Sequence, residues 1–347
     1  MQPEKGEYME MEITDTIQNI HEREWNALAG TDRIERSRGW YRTIEDSGVR
    51  KMNYVFLKES NTLTAAACCH TFIENMYNIK IPFLEVRTPL GKSSAFFSEN
   101  SEQTAMLLKG LEDIQKKEKT KGFLILDFKQ KEFNAIKKYM KGFIVFQLEE
   151  NTYMDLDYSD FDDYLSTLSR KARGNIRNTL NKAEKRWNIK KVVTNEFSKW
   201  GHVAHRLQNY ICERHNDYRW FLKEEFYPSL ETHLKDKAEM LLFFKDDIPL
   251  ASGLSLNSST ICECRAAGID PHYRQYQAYF LMYYEVIKRA IERGQKRIYF
   301  GTTTYEVKEK LGSKREELFG FAKMENPLLD TGLKSFLTIS RLWNKKI

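Results

Sequence analysis

Side chains that can exchange protons or carry a charge lie close together in two short stretches near the end of the chain. In the stretch "GTTTYEVKEKLGS", Thr303, Tyr305 and Lys308 directly follow an apolar run that predicts a strand. Glu263 lies on the preceding predicted hairpin, and Asp270 lies at the end of that hairpin. Binding and catalytic groups collect at the carboxyl ends of strands in α/β sheets. These five residues are therefore candidates for one cleft.

The elements around these residues predict a crossover between parallel strands. Apolar runs at 254–256 and 260–266 flank a polar turn, which indicates a β-hairpin. A helix follows over 276–293, where apolar residues recur at three- and four-residue spacing before Gly294. A strand returns at 297–300. A strand, a helix and a parallel strand form a right-handed crossover with a cleft at the carboxyl edge.

A second candidate region is the basic segment 170–187, "RKARGNIRNTLNKAEKRW". Arg170, Arg173 and Arg177 are three and four residues apart, so on a helix they share one face. Guanidinium groups bind phosphate with two hydrogen bonds, which makes this face a candidate contact for an anionic donor or for RNA. A charged face that only meets solvent explains the same pattern, and both interpretations stay open.

The order of predicted elements repeats along the chain. The first half has helices at 20–29, 39–47 and 102–120 and a hairpin formed by strands at 53–59 and 63–74. A strand predicted over 143–157 leads into the second half, where helices, a strand and the hairpin with its crossover follow. The repeated order predicts two similar α/β halves that divide near residue 155.

Composition limits the class of protein. Apolar residues make up 41% of the chain and the net charge is +6, which is typical of a folded domain and gives no indication of DNA binding. No run reaches the ~18 apolar residues of a membrane span, and the acidic N-terminus does not resemble a signal peptide, so we expect a cytoplasmic location. The five cysteines and the spaced histidines fit no disulfide framework and no metal site.

The stretch from Ala267 to Ser313 resembles the last third of the FemAB-like N-acyltransferases of the GNAT superfamily, and especially their BioF2-like acetyltransferase domains. The residues that carry the resemblance are Asp270, Tyr273, Tyr284, Gly294, Gly301, Thr303, Tyr305, Lys308 and Gly312. It implies an α/β fold of two tandem GNAT-like halves, each a mixed sheet flanked by helices. We expect these at 1–154 and 155–325, with a C-terminal amphipathic helix at 326–347 packed on the fold.

The same resemblance implies transfer of an activated acyl group to an amine, with formation of an amide. Acyl-CoA enzymes of this superfamily usually have a glycine-rich turn at the start of the crossover helix, whose backbone N–H groups hold the pyrophosphate. Here that turn reads "RQYQAY", with no glycine between Pro271 and Gly294. We therefore expect aminoacyl-tRNA as the donor, with acyl-CoA as the alternative and a non-catalytic GNAT-like scaffold as a third possibility.

Roles for single residues follow from the resemblance and from acyl-transfer chemistry. We expect Lys308 to neutralise the developing oxyanion, and Glu263 or Asp270 to take the proton of the amine, with His272 and Tyr305 as the next candidates. The donor-binding candidates are Arg170, Arg173, Arg177, Tyr273, Arg274, Gln277 and Thr303. Packing or solvent exposure explains the tyrosines and Lys308 equally well.

The expected acceptor is an amine on a small molecule or peptide, in cell-wall or secondary-metabolite biosynthesis. We expect tRNA as a further partner, no tightly bound cofactor and no metal.

Overall fold

The computed structural model describes residues 9–76, 79–218 and 220–344. Its strands are β1 (Met9–Thr14), β2 (Met52–Glu59), β3 (Thr62–Met76), β4 (Ile79–Val86), β5 (Phe96–Phe97), β6 (Gly122–Lys129), β7 (Ile144–Gln147), β8 (Asn151–Asp155), β9 (Ile189–Thr194), β10 (Ala238–Lys245), β11 (Ile248–Asn257), β12 (Ile261–Ile269), β13 (Arg297–Gly301), β14 (Lys314–Glu316) and β15 (Leu318–Met324).

Eleven α-helices are found within these described ranges. They are α1 (Glu22–Ala29), α2 (Arg38–Asp46), α3 (Ser101–Glu118), α4 (Gln130–Ile136), α5 (Phe161–Thr167), α6 (Arg170–Asn181), α7 (Phe197–His215), α8 (Phe226–Leu234), α9 (Ala278–Glu292), α10 (Tyr305–Lys310) and α11 (Pro327–Asn344). The predicted hairpins, crossover helix and returning strand are all present. Their bounds differ from the prediction by a few residues, as expected for element ends.

The strands form two mixed sheets. The first has the order β1-β2-β3-β4-β6-β15-β7, with β5 added beside β3, and the second has the order β14-β8-β13-β12-β11-β10-β9. Each sheet contains one parallel pair, β4 with β6 and β12 with β13, and its other pairings are antiparallel. Two mixed sheets flanked by helices confirm the predicted fold class.

The single strand predicted over 143–157 is wrong, because the chain changes sheets within it. β7 pairs with β15 in the first sheet, and the Leu148 N–H donates to the Leu318 carbonyl at 2.8 Å. Three residues later β8 pairs with β13 and β14 in the second sheet. After β14 the chain returns, and β15 is inserted between β6 and β7. Each sheet therefore contains sequence from the other side of residue 155.

Helices from both halves pack into a shared core between the sheets. α2 lies against α8, where the edge of the Trp40 ring meets Phe226 at 5.9 Å between centroids. A Cβ atom at Gly39 would lie 2.7 Å from the His233 carbonyl oxygen, so the close approach of these helices requires glycine. Trp25, Phe197 and Leu230 are buried in the same core. The two halves are therefore joined by packing as well as by the chain.

A buried network of charged side chains also joins the halves. Glu263 of β12 accepts from Arg33 Nε at 2.5 Å and from Arg265 Nη2 at 2.9 Å. Glu35 pairs with both arginines and accepts from the Ser93 hydroxyl. Burial alone would raise the pKa of Glu35, but Arg265 and Arg33 outweigh burial and lower that pKa to about 2. Four charges removed from water thus neutralise one another.

The C-terminal helix packs on the first sheet. Leu333 of α11 is buried with Phe83, Leu124 and Leu126, and Phe336 lies beside this cluster. The last three residues of the segment predicted for this helix lie outside the described residues. No helix in the described ranges combines the length and hydropathy that crossing a membrane requires.

The ion network generates a stability prediction. Arg33→Met leaves Glu35 and Glu263 to share a single buried arginine, and breaking a buried ion pair typically destabilises a protein by about 3–5 kcal/mol. We expect a loss of that size in the free energy of unfolding, measured with urea. Lys51→Met is the control. It removes the ion pair between Glu118 and Lys51, whose side chain is 68% exposed, and it should change stability by about 0–1 kcal/mol. Equal effects of the two substitutions would contradict the assignment.

Candidate active site

The crossover in the second sheet creates a wedge between two parallel strands. β12 and β13 pair only through residues 261–263 and 297–299, although β12 continues to Ile269. α9 packs over both strands, and its N-terminus lies beside the opening. The opening lies at the carboxyl ends of β12 and β13, where the sequence predicted a cleft.

Two cavities flank the N-terminus of α9. One of about 550 Å³ is lined by α6, α9 and α10, and the other, of about 500 Å³, is lined by α7, the turn at 271–276 and the loop after β13. Gln277 and Phe280 line both cavities, so they separate two compartments of one cleft. Gln277 has a left-handed backbone with φ of 55°, and its side-chain oxygen accepts from the Thr179 hydroxyl at 2.9 Å.

Basic side chains line both compartments. Lys171 and Lys310 face the larger one, and Arg214 and Arg274 face the smaller one. The lining residues that the structure describes include no aspartate and no glutamate. With cations on both sides and no carboxylate on the walls, the cleft is suited to an anionic ligand.

Lys308 lies beneath the loop that follows β13. Its side chain is 1% exposed, and its ammonium donates to the Gly301 carbonyl at 3.0 Å and the Thr302 carbonyl at 2.8 Å. Burial lowers the pKa of Lys308 to about 8. An ammonium has three N–H donors, so one remains for a further acceptor.

The loop itself has an unusual backbone. Gly301, Thr303 and Thr304 all have positive φ, at 76°, 70° and 46°. For threonine this conformation is strained, and it persists only where neighbouring contacts hold it. Lys308 supplies two of those contacts, and the Tyr279 and Thr304 hydroxyls, 3.2 Å apart, supply another. Lys308 therefore positions Thr303 and Thr304, which line the smaller compartment.

Four of the predicted donor-binding residues lie together. Tyr273, Arg274, Gln277 and Thr303 all line the smaller compartment. Asp270 lies close by at the end of β12. Its carboxylate accepts from the backbone N–H of His272 at 2.9 Å and lies 2.8 Å from the ring Nδ1 of His272. The structure thus places these residues at one end of the crossover.

Glu263 and Tyr305, both predicted as proton acceptors, are engaged in other contacts. One carboxylate oxygen of Glu263 accepts from Arg33 and Arg265, and the other accepts from the backbone N–H of Glu35 at 3.1 Å. The Tyr305 hydroxyl donates to the Glu150 carbonyl at 2.9 Å, and burial raises the pKa of Tyr305 to about 12. These contacts favour structural roles for Glu263 and Tyr305.

The three predicted arginines of α6 do not line either compartment. Arg177 pairs with Asp162 at 3.1 Å, and Arg173 donates to the Ser166 carbonyl at 3.1 Å. Arg170 is exposed at the start of the helix. The face of α6 that meets the cleft carries Lys171, Asn175 and Asn178 instead.

Sequence reasoning missed this cleft-facing row. Its spacing of four and three residues is as regular as that of the arginines, and it was available as a signal. Phosphate chemistry favours the arginine face, because guanidinium groups bind phosphate with two hydrogen bonds, whereas the buried residues Ile176 and Thr179 decide which face meets the cleft.

Solved structures with the same architecture support the interpretation of the fold. FemX has a TM-score of 0.62 at 14% identity, with 93% of this chain and 100% of that chain covered. A tandem GNAT protein from the clavulanic acid biosynthesis pathway has a TM-score of 0.58 at 9% identity, with 92% and 99% covered. The C-terminal domain of a putative lysylphosphatidylglycerol synthetase from Agrobacterium fabrum has a TM-score of 0.57 at 12% identity, with 88% and 92% covered. At these identities the likeness shows the fold alone.

The two mixed sheets and the cleft at the crossover define a tandem GNAT-like protein. Residues 78–344 match the FemAB-like family, which is described as acting in peptidoglycan biosynthesis/recognition, and the chain belongs to that family. It is accordingly an acyltransferase, and the FemAB-like resemblance stated from the sequence is confirmed. A search of curated proteins finds no match.

The burial of Lys308 predicts how stability depends on pH. Its folded-state pKa of about 8 lies below the ordinary value of 10.5, so the folded protein releases this proton at lower pH than the unfolded chain. Lys308 therefore destabilises the fold below pH 8, and this penalty disappears as the pH rises from about 8 to 10.5.

The free energy of unfolding of Lys308→Met and of wild type is measured with urea at pH 7 and at pH 10. We expect the stability of Lys308→Met relative to wild type to be higher at pH 7 than at pH 10. Lys310→Met, which changes an exposed lysine two residues away, should show no such difference between the two pH values. A pH-independent difference between wild type and Lys308→Met would contradict the lowered pKa.

Proposed function

We propose that this chain transfers an aminoacyl group from aminoacyl-tRNA to an amine of a peptidoglycan precursor. The observation that carries this proposal is the cleft beside α9, lined by Lys171, Lys310, Arg214 and Arg274 without a carboxylate. A cleft of this kind favours a donor with a phosphate backbone. The family description supports a peptidoglycan precursor as the acceptor.

The turn before α9 favours tRNA over acyl-CoA. Instead of glycines it presents Tyr273 and Tyr276, whose rings stack at 6.3 Å between centroids, and Trp187 packs on Tyr276 at 5.8 Å. These aromatic residues thus replace the glycines that would let a pyrophosphate come close to backbone N–H groups. Acyl-CoA and a non-catalytic scaffold are the alternatives that the experiment below separates.

The reaction needs few groups from the protein. The acceptor amine attacks the ester carbonyl of the donor, a C–N bond forms, the C–O bond to the ribose breaks, and the released ribose oxygen takes up a proton. Donors on the strained loop that Lys308 holds, such as the Thr303 hydroxyl, stabilise the oxyanion of the tetrahedral intermediate. Asp270, whose side chain is largely buried at the end of β12 and is paired with His272, takes the proton of the amine.

The first test is transfer from charged tRNA. Purified protein is incubated with tRNA carrying radiolabelled amino acids, with acetyl-CoA in a parallel reaction, and with peptides that present a lysine or N-terminal amine. Label appearing in the peptide from charged tRNA alone supports the proposal. Label from acetyl-CoA alone identifies an acyl-CoA enzyme, and tRNA binding without transfer from either donor identifies a scaffold.

Charge reversal on α6 and α10 tests which face contacts the donor. Lys171→Glu with Lys310→Glu should weaken tRNA binding at least tenfold and reduce its dependence on salt, measured by filter binding at two salt concentrations. The matched control, Arg170→Glu with Arg177→Glu, carries the same charge change on the other face of α6. If donor contact is made by Arg170, Arg173 and Arg177, as the sequence first indicated, the order of the two effects is reversed.

The pH dependence of the reaction tests the role of Lys308. Because its pKa is about 8, the ammonium is lost above that pH, and kcat/KM should fall about tenfold per unit as the pH rises further. Lys308→Arg should react more slowly but keep its rate above pH 8, since a guanidinium stays protonated. A rise through pH 8 in wild type that Lys308→Arg abolishes, with the same acceptor, would show instead that neutral Lys308 acts as a base.

A further inference from the structure

Three hydroxyl groups meet where α9 passes the loop that follows β13. Tyr279 and Tyr283 are four residues apart, so they share one face of α9. Their hydroxyl oxygens are 2.9 Å apart, and the Tyr279 hydroxyl is 3.2 Å from the side-chain oxygen of Thr304. The two tyrosine rings meet edge to face at 5.1 Å between centroids, which fixes their relative orientation. Tyr283, Tyr279 and Thr304 therefore form one hydroxyl chain.

The two ends of the hydroxyl chain lie in different environments. Tyr283 packs against Phe300 of β13 at 5.6 Å between ring centroids, and burial raises the pKa of Tyr283. Tyr279 and Thr304 line the smaller compartment of the cleft, where Thr304 is exposed. Tyr283 thus keeps its proton at neutral pH, while the other end of the chain is open to a ligand.

One proton of the proposed reaction has no donor among the groups already assigned. The ribose oxygen departs with the electron pair of the C–O bond, and an alkoxide is too basic to leave without a proton at neutral pH. The Tyr305 hydroxyl is not free to supply it, because it donates to the Glu150 carbonyl. The Tyr279 hydroxyl lies against Thr304, the residue after the Thr303 hydroxyl that is proposed to bind the oxyanion.

We propose that Tyr279 is the general acid of the reaction: its hydroxyl proton passes to the ribose oxygen as the C–O bond breaks, and Tyr283 donates a hydrogen bond to the phenolate that forms. The inference rests on the proposed function, because it assigns a role in the same reaction. Asp270 later releases to water the proton that it took from the amine, and Tyr279 recovers a proton from water, so protons and charge balance over one turnover.

The test changes the leaving atom on one constant RNA. A minihelix carries alanine either as an ester of the terminal 3′ oxygen or as a thioester of a 3′ sulfur, with the same 2′ position in both, so that RNA contacts stay the same. A thiolate leaves without a proton, whereas an alkoxide does not. In single turnovers, Tyr279→Phe should slow transfer from the ester about 100-fold and transfer from the thioester less than about threefold.

Tyr283→Phe tests the rest of the hydroxyl chain. This variant removes the hydrogen bond to Tyr279 but keeps the proposed acid, so we expect a loss of about tenfold that is confined to the ester. The double variant Tyr279→Phe with Tyr283→Phe should be no slower than Tyr279→Phe alone, since Tyr283 acts only through Tyr279.

Tyr54→Phe is the matched control. It removes the hydroxyl of another buried tyrosine, which donates to Glu45 at 2.6 Å in the shared core. It should lower stability but leave the ratio of ester to thioester transfer at the wild-type value. If Tyr279→Phe slows both donors equally, Tyr279 only holds Thr304 in place. If it slows neither, its hydroxyl takes no part in the reaction, and either result overturns the inference.

Failure of the proposed function gives a different result. If wild type transfers alanine from neither RNA but accepts acetyl-CoA, the proposed donor is wrong, and wild type and Tyr279→Phe are compared with acetyl-CoA and with the acetyl thioester of thiophenol. An alkyl thiolate is more basic than an aryl thiolate, so a loss confined to acetyl-CoA would retain Tyr279 as the acid. Any other pattern overturns that role, and transfer from no donor overturns both proposals.

Discussion

Mutual neutralisation of four buried charges is the constraint on which the cleft depends. Glu263 is the last residue of β12 that pairs with β13, so the ion network lies where the two strands stop pairing and the wedge begins. Its partners Arg33 and Glu35 belong to the other half of the chain. Buried charges tolerate little displacement, since each needs its partners to offset the loss of hydration. The network therefore holds the first half of the chain against the end of the β12–β13 pairing, where the wedge begins.

The same physical device closes the corresponding position in the first sheet. There the parallel strands β4 and β6 pair through residues 84–86 and 123–125. Arg87, the residue after that pairing on β4, forms a buried ion pair with Asp127, and it also pairs with Glu85 at 3.2 Å. Charged side chains thus bridge the strand ends in the first sheet, whereas in the second sheet they flank the opening.

Local patterns predicted the crossover well, because alternation, helical spacing and a capping glycine act over a few residues. They also predicted a common donor-binding role for Tyr273, Arg274, Gln277 and Thr303, and these four residues line one compartment. The role of Glu263 could not be predicted in this way, since its partner Arg33 is 230 residues away in sequence. The orientation of α6 likewise depends on which side is buried by tertiary packing, and charge density alone does not show this. The sheet change after Gln147 was missed because two short strands in succession have the same alternation as one long strand.

The insertion of β15 between β6 and β7 has a consequence for biosynthesis. Residues 318–324 complete the first sheet, yet the ribosome makes them after every strand of the second sheet. Until they emerge, β6 and β7 lack their shared neighbour, and unpaired strand edges are prone to wrong associations. The N-terminal half therefore cannot finish folding as it is synthesised. A nascent chain stalled before residue 318 would hold an incomplete first sheet, so that sheet can reach its native topology only after β15 has emerged.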